Sequence, residues 1–294
     1  MTGKDRDESR KGAPAPAPGL YFIATPIGAA RDITLRALDL LAGADVLAAE
    51  DTRTLRHLME LHGVALGDRP VVAYHDHNGA QARPRLLRAL EEGKSVVYAS
   101  EAGTPLVADP GYRLARAAIE AGHPIHVAPG PSAVLAALTV SGLPTDRFLF
   151  AAFPPPAAGA RARFLDEIAA VPATLVLYES PKRVSKLLGE LAQHLGKERP
   201  AAVCRELTKR FEEVTRGTLA ELTEAFAERH VKGEIVLVID RPGAPQNDAE
   251  FLEEALRAAL TEKSLKDAVA DVSAALKLPR RQVYQAALKL DGKD

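Results

Sequence analysis

The residues best suited to chemistry lie in one stretch, residues 98–111, which carries the carboxylates Glu101 and Asp109 among two glycines and two prolines. An apolar run, residues 95–99, leads into it, and a segment with helical spacing follows from Tyr112. A glycine-containing loop between a strand and a helix lets a ligand approach the backbone and leaves N–H groups available. We therefore predict a ligand-binding loop, with a tight unliganded connection as the alternative.

Carboxylates also follow a second apolar run, residues 45–49, where Glu50 and Asp51 stand in sequence. A carboxylate at a strand end can orient a substrate hydroxyl or accept its proton. The alternative for Asp51 is to cap the next helix, and Asp109 before Pro110 is better placed as a cap than as a base. Acids at strand ends thus have two readings, one catalytic and one structural.

Basic residues follow later strands in the same way. Residues 205–210 put three basic side chains and a threonine after an apolar run, an arrangement that can accept phosphate oxygens or form a solvated surface loop. Residues 178–183 place Glu179 at a strand end ahead of Lys182 and Arg183, and Ser180 with Pro181 can instead cap the next helix. Both segments are candidates for phosphate contacts.

One histidine pair has spacing that suits a metal. His75 and His77 share a face if they end a strand, but no third ligand is evident in the sequence. Hydrogen-bonding loop histidines are the more common outcome, so no metal is expected.

The elements that position these side chains alternate between strands and helices over residues 19–140. Apolar runs predict strands at 20–24, 45–49, 71–74, 95–99 and 125–128, and helical spacing separates them. This order predicts an α/β domain with a mostly parallel sheet covered on both faces. The loops at the carboxyl ends of parallel strands lie at one edge, so we expect them to form a cleft there.

The second half of the chain predicts a second α/β domain and a helical module. The proline- and glycine-rich segment 141–159 is interpreted as a crossover, after which strands and helices alternate again to residue 242. Residues 248–292 predict three short helices like a helix-turn-helix bundle, whose basic residues either meet phosphates or cover a solvated cap or dimer element. Those basic residues are Lys277, Arg280, Arg281 and Lys289.

The composition is that of a globular protein: 294 residues, 47% hydrophobic and 26% charged, with a net charge of −1. The single cysteine, Cys204, excludes an intrachain disulfide and a cysteine-based metal cluster. No apolar run reaches the roughly 20 residues of a membrane helix, and the polar start lacks a signal-peptide core. Residues 1–18, with their Ala-Pro repeats, predict a disordered tail. These features favour a cytoplasmic protein without a membrane segment.

Three familiar nucleotide and hydrolase motifs are absent from the sequence. There is no Gly-x-Gly-x-x-Gly after the first strand, no Gly-x-x-x-x-Gly-Lys-Ser/Thr loop and no Gly-x-Ser-x-Gly elbow. An ordinary dinucleotide site, a nucleoside triphosphatase and an α/β-hydrolase are therefore poorly supported.

A set of short motifs in order along the chain resembles the tetrapyrrole methylase superfamily, and within it the ribosomal RNA small subunit methyltransferase I group. The motifs span about residues 20–240, and the helical tail is similar to the C-terminal module of that group. They lie at residues 24–28, 32–34, 49–53, 77–78, 102–105, 109–111, 129–133, 141–144, 178–181 with 183, 205–209 and 233–234.

This resemblance implies a two-domain homodimeric enzyme that binds S-adenosylmethionine in the cleft between its domains. The implied reaction is methylation of the ribose 2′-hydroxyl of a cytidine in the decoding region of small-subunit (16S) ribosomal RNA. It further implies that residues 26–28 line the substrate side. The implied cofactor contacts are Gly103, Thr104, Pro105, Val107, Ser132 and Ala133.

The sequence departs from the family pattern at three places. Ala29 and Ala30 replace the usual Asn-Leu, Glu101 replaces an aspartate, and Lys182 replaces a histidine. The candidates for the base that accepts the hydroxyl proton are Asp51, Glu101 and Glu179. The candidates for RNA phosphate contacts are Arg53, Arg183, Arg205 and Lys209. The alternatives are a precorrin-type small-molecule methyltransferase and a non-catalytic RNA- or ribosome-binding protein.

Overall fold

The computed structural model describes residues 15–75, 77–108, 111–242, 246–276 and 278–290. Two five-stranded sheets, each with helices packed against it, are followed by a three-helix module. Of the predicted tail, only residues 15–18 are among the described residues. Asp109, Lys277 and the side chain of Lys289 also lie outside them. The α/β class with a helical C-terminal module is confirmed.

The elements follow one another in the predicted order. The strands are β1 (Gly19–Ile23), β2 (Val46–Ala49), β3 (Val71–Ala73), β4 (Ser95–Ala99), β5 (Ile125–Ala128), β6 (Phe148–Phe150), β7 (Thr174–Glu179), β8 (Pro200–Arg205), β9 (Glu213–Thr218) and β10 (Ile235–Ile239). The helices are α1 (Leu35–Gly43), α2 (Thr52–Leu61), α3 (Gly79–Glu91), α4 (Tyr112–Glu120), α5 (Ala133–Ser141), α6 (Ala158–Ala169), α7 (Val184–Leu195), α8 (Leu219–Phe226), α9 (Gln246–Glu262), α10 (Leu265–Leu276) and α11 (Arg280–Leu290).

The first sheet is parallel throughout, with the order β3-β2-β4-β1-β5. Every residue of β1 and β4 is buried, because helices cover both faces of the sheet. Side chains alternate along β1, so that Tyr21 and Ile23 pack with α1 and α2 while Leu20 and Phe22 pack with α3 and α4. The predicted parallel sheet is therefore confirmed, and its carboxyl edge gathers the loops after β1, β2, β4 and β5.

The second sheet differs from the prediction that the alternating pattern resumes. Its order is β6-β7-β10-β8-β9, and only β6 and β7 are parallel. Strand β10 lies antiparallel between β7 and β8, and β9 is antiparallel to β8. The short connection from β8 to β9 has no room for a crossover helix, so these neighbours must run in opposite directions. The second domain is thus a mixed sheet.

Strand β6 lies inside the segment 141–159, which the sequence predicts as a crossover only. It has three residues, pairs with β7 along one side and leaves Phe148 exposed. Prolines before and after it mask its signal, because a run of three apolar residues is too short for periodicity to detect.

Helix α5 follows the first sheet in sequence but packs on the second. Its residues Val134, Ala137 and Leu138 join a core with Val176 of β7 and Val236 of β10. The helix therefore forms part of the second layer, although the sequence places it before the predicted boundary at residue 140.

The C-terminal module has its own small core. Leu252 and Leu256 of α9 pack with Val269 and Val272 of α10 and with Val283 of α11. The three predicted helices are confirmed, with α9 beginning at Gln246. None of the helices in the described ranges combines the length and the apolar character needed to cross a bilayer.

Candidate active site

A cavity of about 430 Å³ lies between the two sheets. The first half of the chain contributes the loops that follow β1, β2, β4 and β5. The second half contributes the segment after β6, the end of β7 and the start of β10, which meet because β7 and β10 are antiparallel. The walls are formed by Ile27, Glu50, residues 101–104, 107–108 and 132–133 on one side, and by Phe153, residues 178–179, Pro181 and residues 233–236 on the other.

The loop after β4 is fixed to the loop after β1. Gly103 and Thr25 exchange backbone hydrogen bonds of 2.9 and 3.0 Å, and the Thr25 hydroxyl bonds to the carbonyl of Ser100 at 3.1 Å. Gly103 has φ +82°, and a Cβ there would approach Ile27 to 3.3 Å, so this turn favours glycine. The loop is therefore held at the cavity, as its composition predicts.

The turn at residues 129–133 is joined to the same loop. The Thr104 hydroxyl donates to the carbonyl of Pro131 at 2.9 Å, and Ser132 caps α5 through the N–H of Leu135. Of the residues expected to bind the cofactor, Gly103, Thr104, Val107, Ser132 and Ala133 line the cavity. Pro105 is buried and does not line the cavity.

Backbone strain is concentrated around this cavity. In the described ranges, the non-glycine residues with positive φ lie in the loop after β4, in the segment after β6 and in the loop after β8. Each L-residue in this region costs about 1–2 kcal/mol, so the surrounding contacts must enforce the conformation. These residues are Leu106 (68°), Ala108 (55°), Ala152 (55°), Glu206 (50°) and Thr208 (63°).

Four carboxylates, Glu50, Glu101, Glu179 and Glu234, line the cavity. Glu101 is exposed at the cavity mouth by surface area, yet partial desolvation raises its pKa, and repulsion from Glu50, Asp51 and Glu234 adds to this effect. In the part of the chain that the structure describes, no hydrogen bond or ion pair reaches the Glu101 side chain. A carboxyl group with a raised pKa and no cationic partner is suited to accepting a proton.

Asp51 takes the structural role that the sequence left open. Its carboxylate accepts hydrogen bonds from the N–H groups of Arg53 at 2.7 Å and Thr54 at 3.4 Å, which caps α2. The hydrogen bond from the Arg53 guanidinium lowers the pKa of Asp51. Its neighbour Glu50, which stands at the same strand end but was not among the predicted bases, lines the cavity.

Glu179 lines the cavity, but its carboxylate is engaged within the protein. Its Oε1 accepts the N–H of Ser180 at 2.6 Å and the Arg183 guanidinium at 2.6 to 2.7 Å, and the side chain is 1% exposed. This pair fixes the connection between β7 and α7.

The basic residues expected to contact RNA differ in availability. Arg53 pairs with Asp51 at 3.1 Å, but its side chain is 91% exposed, whereas the Arg183 side chain, paired with Glu179, is 37% exposed. Arg205 binds Glu213 at 3.1 Å, and Lys209 binds two carboxylates. Of these four cations, Arg53 is the most open to a partner.

The rings of His75 and His77 lie 6.0 Å apart, and the described residues contain no group of three or more His, Cys, Asp or Glu side chains that could hold a metal ion.

Two aromatic residues complete the wall. Burial raises the pKa of Tyr178, whose ring packs edge-on against Phe153 with centroids 5.4 Å apart. Tyr178 and Glu234 belong to recognisable motifs, but their places at the cavity depend on strand order. Phe153 has no sequence signal beyond its position among prolines.

Two family profiles account for most of the chain. The profile described as Tetrapyrrole (Corrin/Porphyrin) Methylases matches residues 19–223, and the RsmI C-terminal HTH domain matches residues 245–291.

Similar proteins extend over nearly the whole length. The Mesorhizobium japonicum protein named Ribosomal RNA small subunit methyltransferase I is 45% identical over 274 residues, which cover 93% of this chain and 92% of the relative. The Mycobacterium tuberculosis protein of the same name is 43% identical over 275 residues, with 92% and 94% covered.

Solved structures share the two-sheet fold. Cobalt precorrin-4 methyltransferase aligns with a TM-score of 0.56 at 20% identity, over 75% of this chain and 94% of that one. Uroporphyrin-III C-methyltransferase from Thermus thermophilus, complexed with S-adenosyl homocysteine, aligns with a TM-score of 0.51 at 25% identity, over 75% and 96%.

The two sheets and the cleft between them define an α/β methyltransferase with the fold of these enzymes. The chain belongs to the tetrapyrrole methylase family. Members of this family depend on S-adenosylmethionine, which confirms the cofactor expected from the sequence.

The residues present fit this cofactor. The cavity is within the size range of small-molecule sites, and Ile27, Val107 and Phe153 give it apolar walls. The carboxylates of Glu50 and Glu101 complement a ligand that carries a positive sulfonium and an ammonium group. The residues that would hold it are those of the loop 103–107 and the turn at Ser132 and Ala133.

Proposed function

We propose that this protein uses S-adenosylmethionine to methylate the 2′-hydroxyl of a cytidine in the decoding region of small-subunit (16S) ribosomal RNA. The observation that carries the proposal is the length of the match. The relatives named for small-subunit ribosomal RNA methylation align over both sheets and the C-terminal module. The solved precorrin methyltransferase aligns over only 75% of the chain and supports the fold alone.

The main task of the site is alignment. When bound, the cofactor supplies a methyl group on a sulfonium sulfur; the hydroxyl oxygen forms the new bond to carbon while the carbon–sulfur bond breaks and its electrons stay on sulfur. The loop 101–108 and the turn 132–133 hold one side of the cleft rigidly, through the bonds from Gly103 to Thr25 and from Thr104 to Pro131. Such positioning can supply about 7–11 kcal/mol of the barrier.

Glu101 is our preferred acceptor for the hydroxyl proton. It lines the cavity, and its raised pKa moves its basicity towards that of an efficient general base at neutral pH. The other two candidates already accept hydrogen bonds within the protein. Asp51 accepts the N–H of Arg53 in a helix cap, and Glu179 accepts the Arg183 guanidinium. We assign them structural roles in this reaction.

The RNA is proposed to approach from the Arg53 side and to contact the C-terminal module. Arg280 and Arg281 are exposed at the start of α11, where a helix N-terminus also favours phosphate. Arg183 and Arg205 retain partial exposure and are proposed as secondary phosphate contacts. The family resemblance further supports a cytoplasmic homodimer.

Replacing Arg53 with alanine should weaken RNA binding several-fold at low salt and reduce the slope of log K against log salt by about 0.7–0.9, because one phosphate contact is lost. The affinity for S-adenosylmethionine should not change. Fluorescence titration of small-subunit RNA at several salt concentrations measures the RNA affinity and its salt slope.

Arg88→Ala is the matched control for this variant. Arg88 is an exposed arginine in the last turn of α3, so it lies at the opposite edge of the first sheet from the cleft. An unchanged salt slope in Arg53→Ala would remove Arg53 from the RNA interface.

The proposed function is tested by mapping ribose methylation of small-subunit RNA after incubation with the protein and S-adenosylmethionine. We expect one new 2′-O-methylcytidine in the decoding region. Methylation of a tetrapyrrole that survives deletion of residues 247–294, without methylation of RNA, would favour the small-molecule alternative. Absence of S-adenosylmethionine binding in calorimetry would exclude both enzymatic functions.

A further inference from the structure

Lys209 joins two carboxylates from different segments of the second domain. Its Nζ donates to Glu206 Oε1 at 2.9 Å and to Glu234 Oε2 at 2.8 Å. Glu206 Oε1 also accepts the N–H of Glu234 at 2.9 Å, which closes a small ring of bonds. Of the three residues, Glu234 lines the cavity, and its side chain is 72% exposed there.

The surrounding backbone makes room for this network. A Cβ on Gly28 would lie 2.5 Å from Cγ of Lys209 and 2.6 Å from the Thr208 hydroxyl. A Cβ on Gly233 would overlap the side chain of Glu206. Gly28 therefore lets the stem of Lys209 cross the loop after β1, and Gly233 lets the carboxylate of Glu206 approach the start of β10.

The segment that carries Lys209 is also held in an unfavourable conformation. Glu206 and Thr208 both have positive φ, and the Thr208 hydroxyl accepts the N–H of Ala29 at 3.1 Å from the first domain. The pair of Lys209 with Glu234 is exposed, and an exposed ion pair stabilises a protein by only about 0–1 kcal/mol. Such a pair alone does not explain two left-handed residues and two crowded glycines, and strain of this kind concentrates at functional sites.

We propose that Lys209 is a positioning residue for methyl transfer: its ammonium holds the carboxylate of Glu234 at the cleft wall, where Glu234 accepts a hydrogen bond from the nucleoside to be methylated. This inference rests on the proposed function for its substrate. It replaces the phosphate contact expected for Lys209 from the sequence, because both carboxylates already occupy the ammonium group. Burial lowers the pKa of Lys209, but the hydrogen bonds to Glu234 and Glu206 outweigh burial and raise it overall, so the cation persists.

The test compares Lys209→Met, Lys209→Arg, Glu234→Gln and the double variant Lys209→Met/Glu234→Gln at saturating RNA and cofactor. Lys209→Met should lower kcat roughly 10- to 100-fold, as expected for a misplaced contact group, with unchanged S-adenosylmethionine affinity. Lys209→Arg keeps a cation between the carboxylates and should recover most of the loss. Because Lys209 acts through Glu234, the double variant should match Glu234→Gln within about twofold.

Lys197→Met, an exposed lysine in the connection between α7 and β8, is the matched control. A crystal structure of Lys209→Met should show the Glu234 carboxylate displaced from its present position. Multiplicative losses in the double variant, or a salt slope for RNA binding reduced by about 0.7–0.9, would overturn the inference and restore a phosphate contact. If the wild-type protein methylates no RNA, the proposed function fails, and an unmoved Glu234 in the crystal overturns the positioning role separately.

Discussion

Replacing Glu101 with glutamine should lower kcat for RNA methylation by about 10²–10⁴-fold, the range for loss of a general base. The amide keeps the shape of the side chain but cannot accept the hydroxyl proton. Binding of S-adenosylmethionine should weaken only modestly, because Glu50 still supplies negative charge to the cavity. Single-turnover methyl transfer combined with calorimetry separates the two effects.

The pH dependence provides a second measurement on the same variant. Partial desolvation and the neighbouring carboxylates raise the pKa of Glu101, so the acidic limb of the wild-type rate profile should lie above the ordinary carboxyl range. A raised pKa also means that ionisation is less favourable in the folded state than in the unfolded state. Stability should therefore fall as pH rises from the unfolded to the folded pKa, and Glu101→Gln should be at least as stable as the wild type at neutral pH.

Two control variants accompany Glu101→Gln. Glu101→Asp restores the carboxylate that the family usually carries at this position, and we expect it to retain substantial activity. Glu91→Gln, at an exposed position that ends α3, should behave as the wild type. Wild-type turnover in Glu101→Gln would exclude Glu101 as the base and make Glu50 the next candidate for this role.

Replacing Arg161 with methionine should destabilise the protein by about 3 kcal/mol, the lower end of the range for breaking a buried ion pair. The guanidinium is 7% exposed, binds both oxygens of Glu190, and donates to the carbonyls of Pro155 at 3.1 Å and Pro156 at 2.8 Å. Loss of these bonds leaves Glu190 without its partner and releases the segment that follows Phe153. Urea denaturation at neutral pH measures the change.

The pH dependence of this loss has a defined sign. The hydrogen bond from Arg161 lowers the pKa of Glu190, so the pair stabilises the protein above the ordinary carboxyl pKa and loses this effect as Glu190 is protonated. The difference between wild type and variant should therefore narrow at acidic pH. Arg163→Met, on the exposed side of the same helix, should cost little. Equal losses in the two variants would show that the buried ion pair is not responsible.

The first sheet follows from the sequence because its strands obey simple rules. The runs that form β1 and β4 are continuously apolar, and a strand buried on both faces by helices has this composition. Asp51 marks a helix start correctly, since its carboxylate accepts hydrogen bonds from α2. The alternative cap at Ser180 is wrong, because α7 begins at Val184 without a side-chain cap. Local chemistry was sufficient for β1, β4 and α2.

The second sheet and half of the cavity wall required tertiary information. Glu234 stands just before β10, and it reaches the cleft only because β10 runs antiparallel to β7. The sequence also could not show that the basic group of Lys209 would be neutralised by Glu206 and Glu234, which lie 3 and 25 residues away along the chain. The order of the motifs predicted which segments meet at the cleft. The ion pairs between side chains of these segments depend on strand direction, which the motifs do not give.

The packing of α5 on the second sheet has a consequence for dividing this protein into fragments. A break at residue 140 would leave α5 attached to the first domain, although Val134 and Leu138 pack on the second sheet. The exposed Pro129 and Gly130 precede the helix, so a break there keeps α5 with its own core. Two fragments divided at this turn would each retain an intact sheet, and their reassociation would rebuild the cleft from complementary halves.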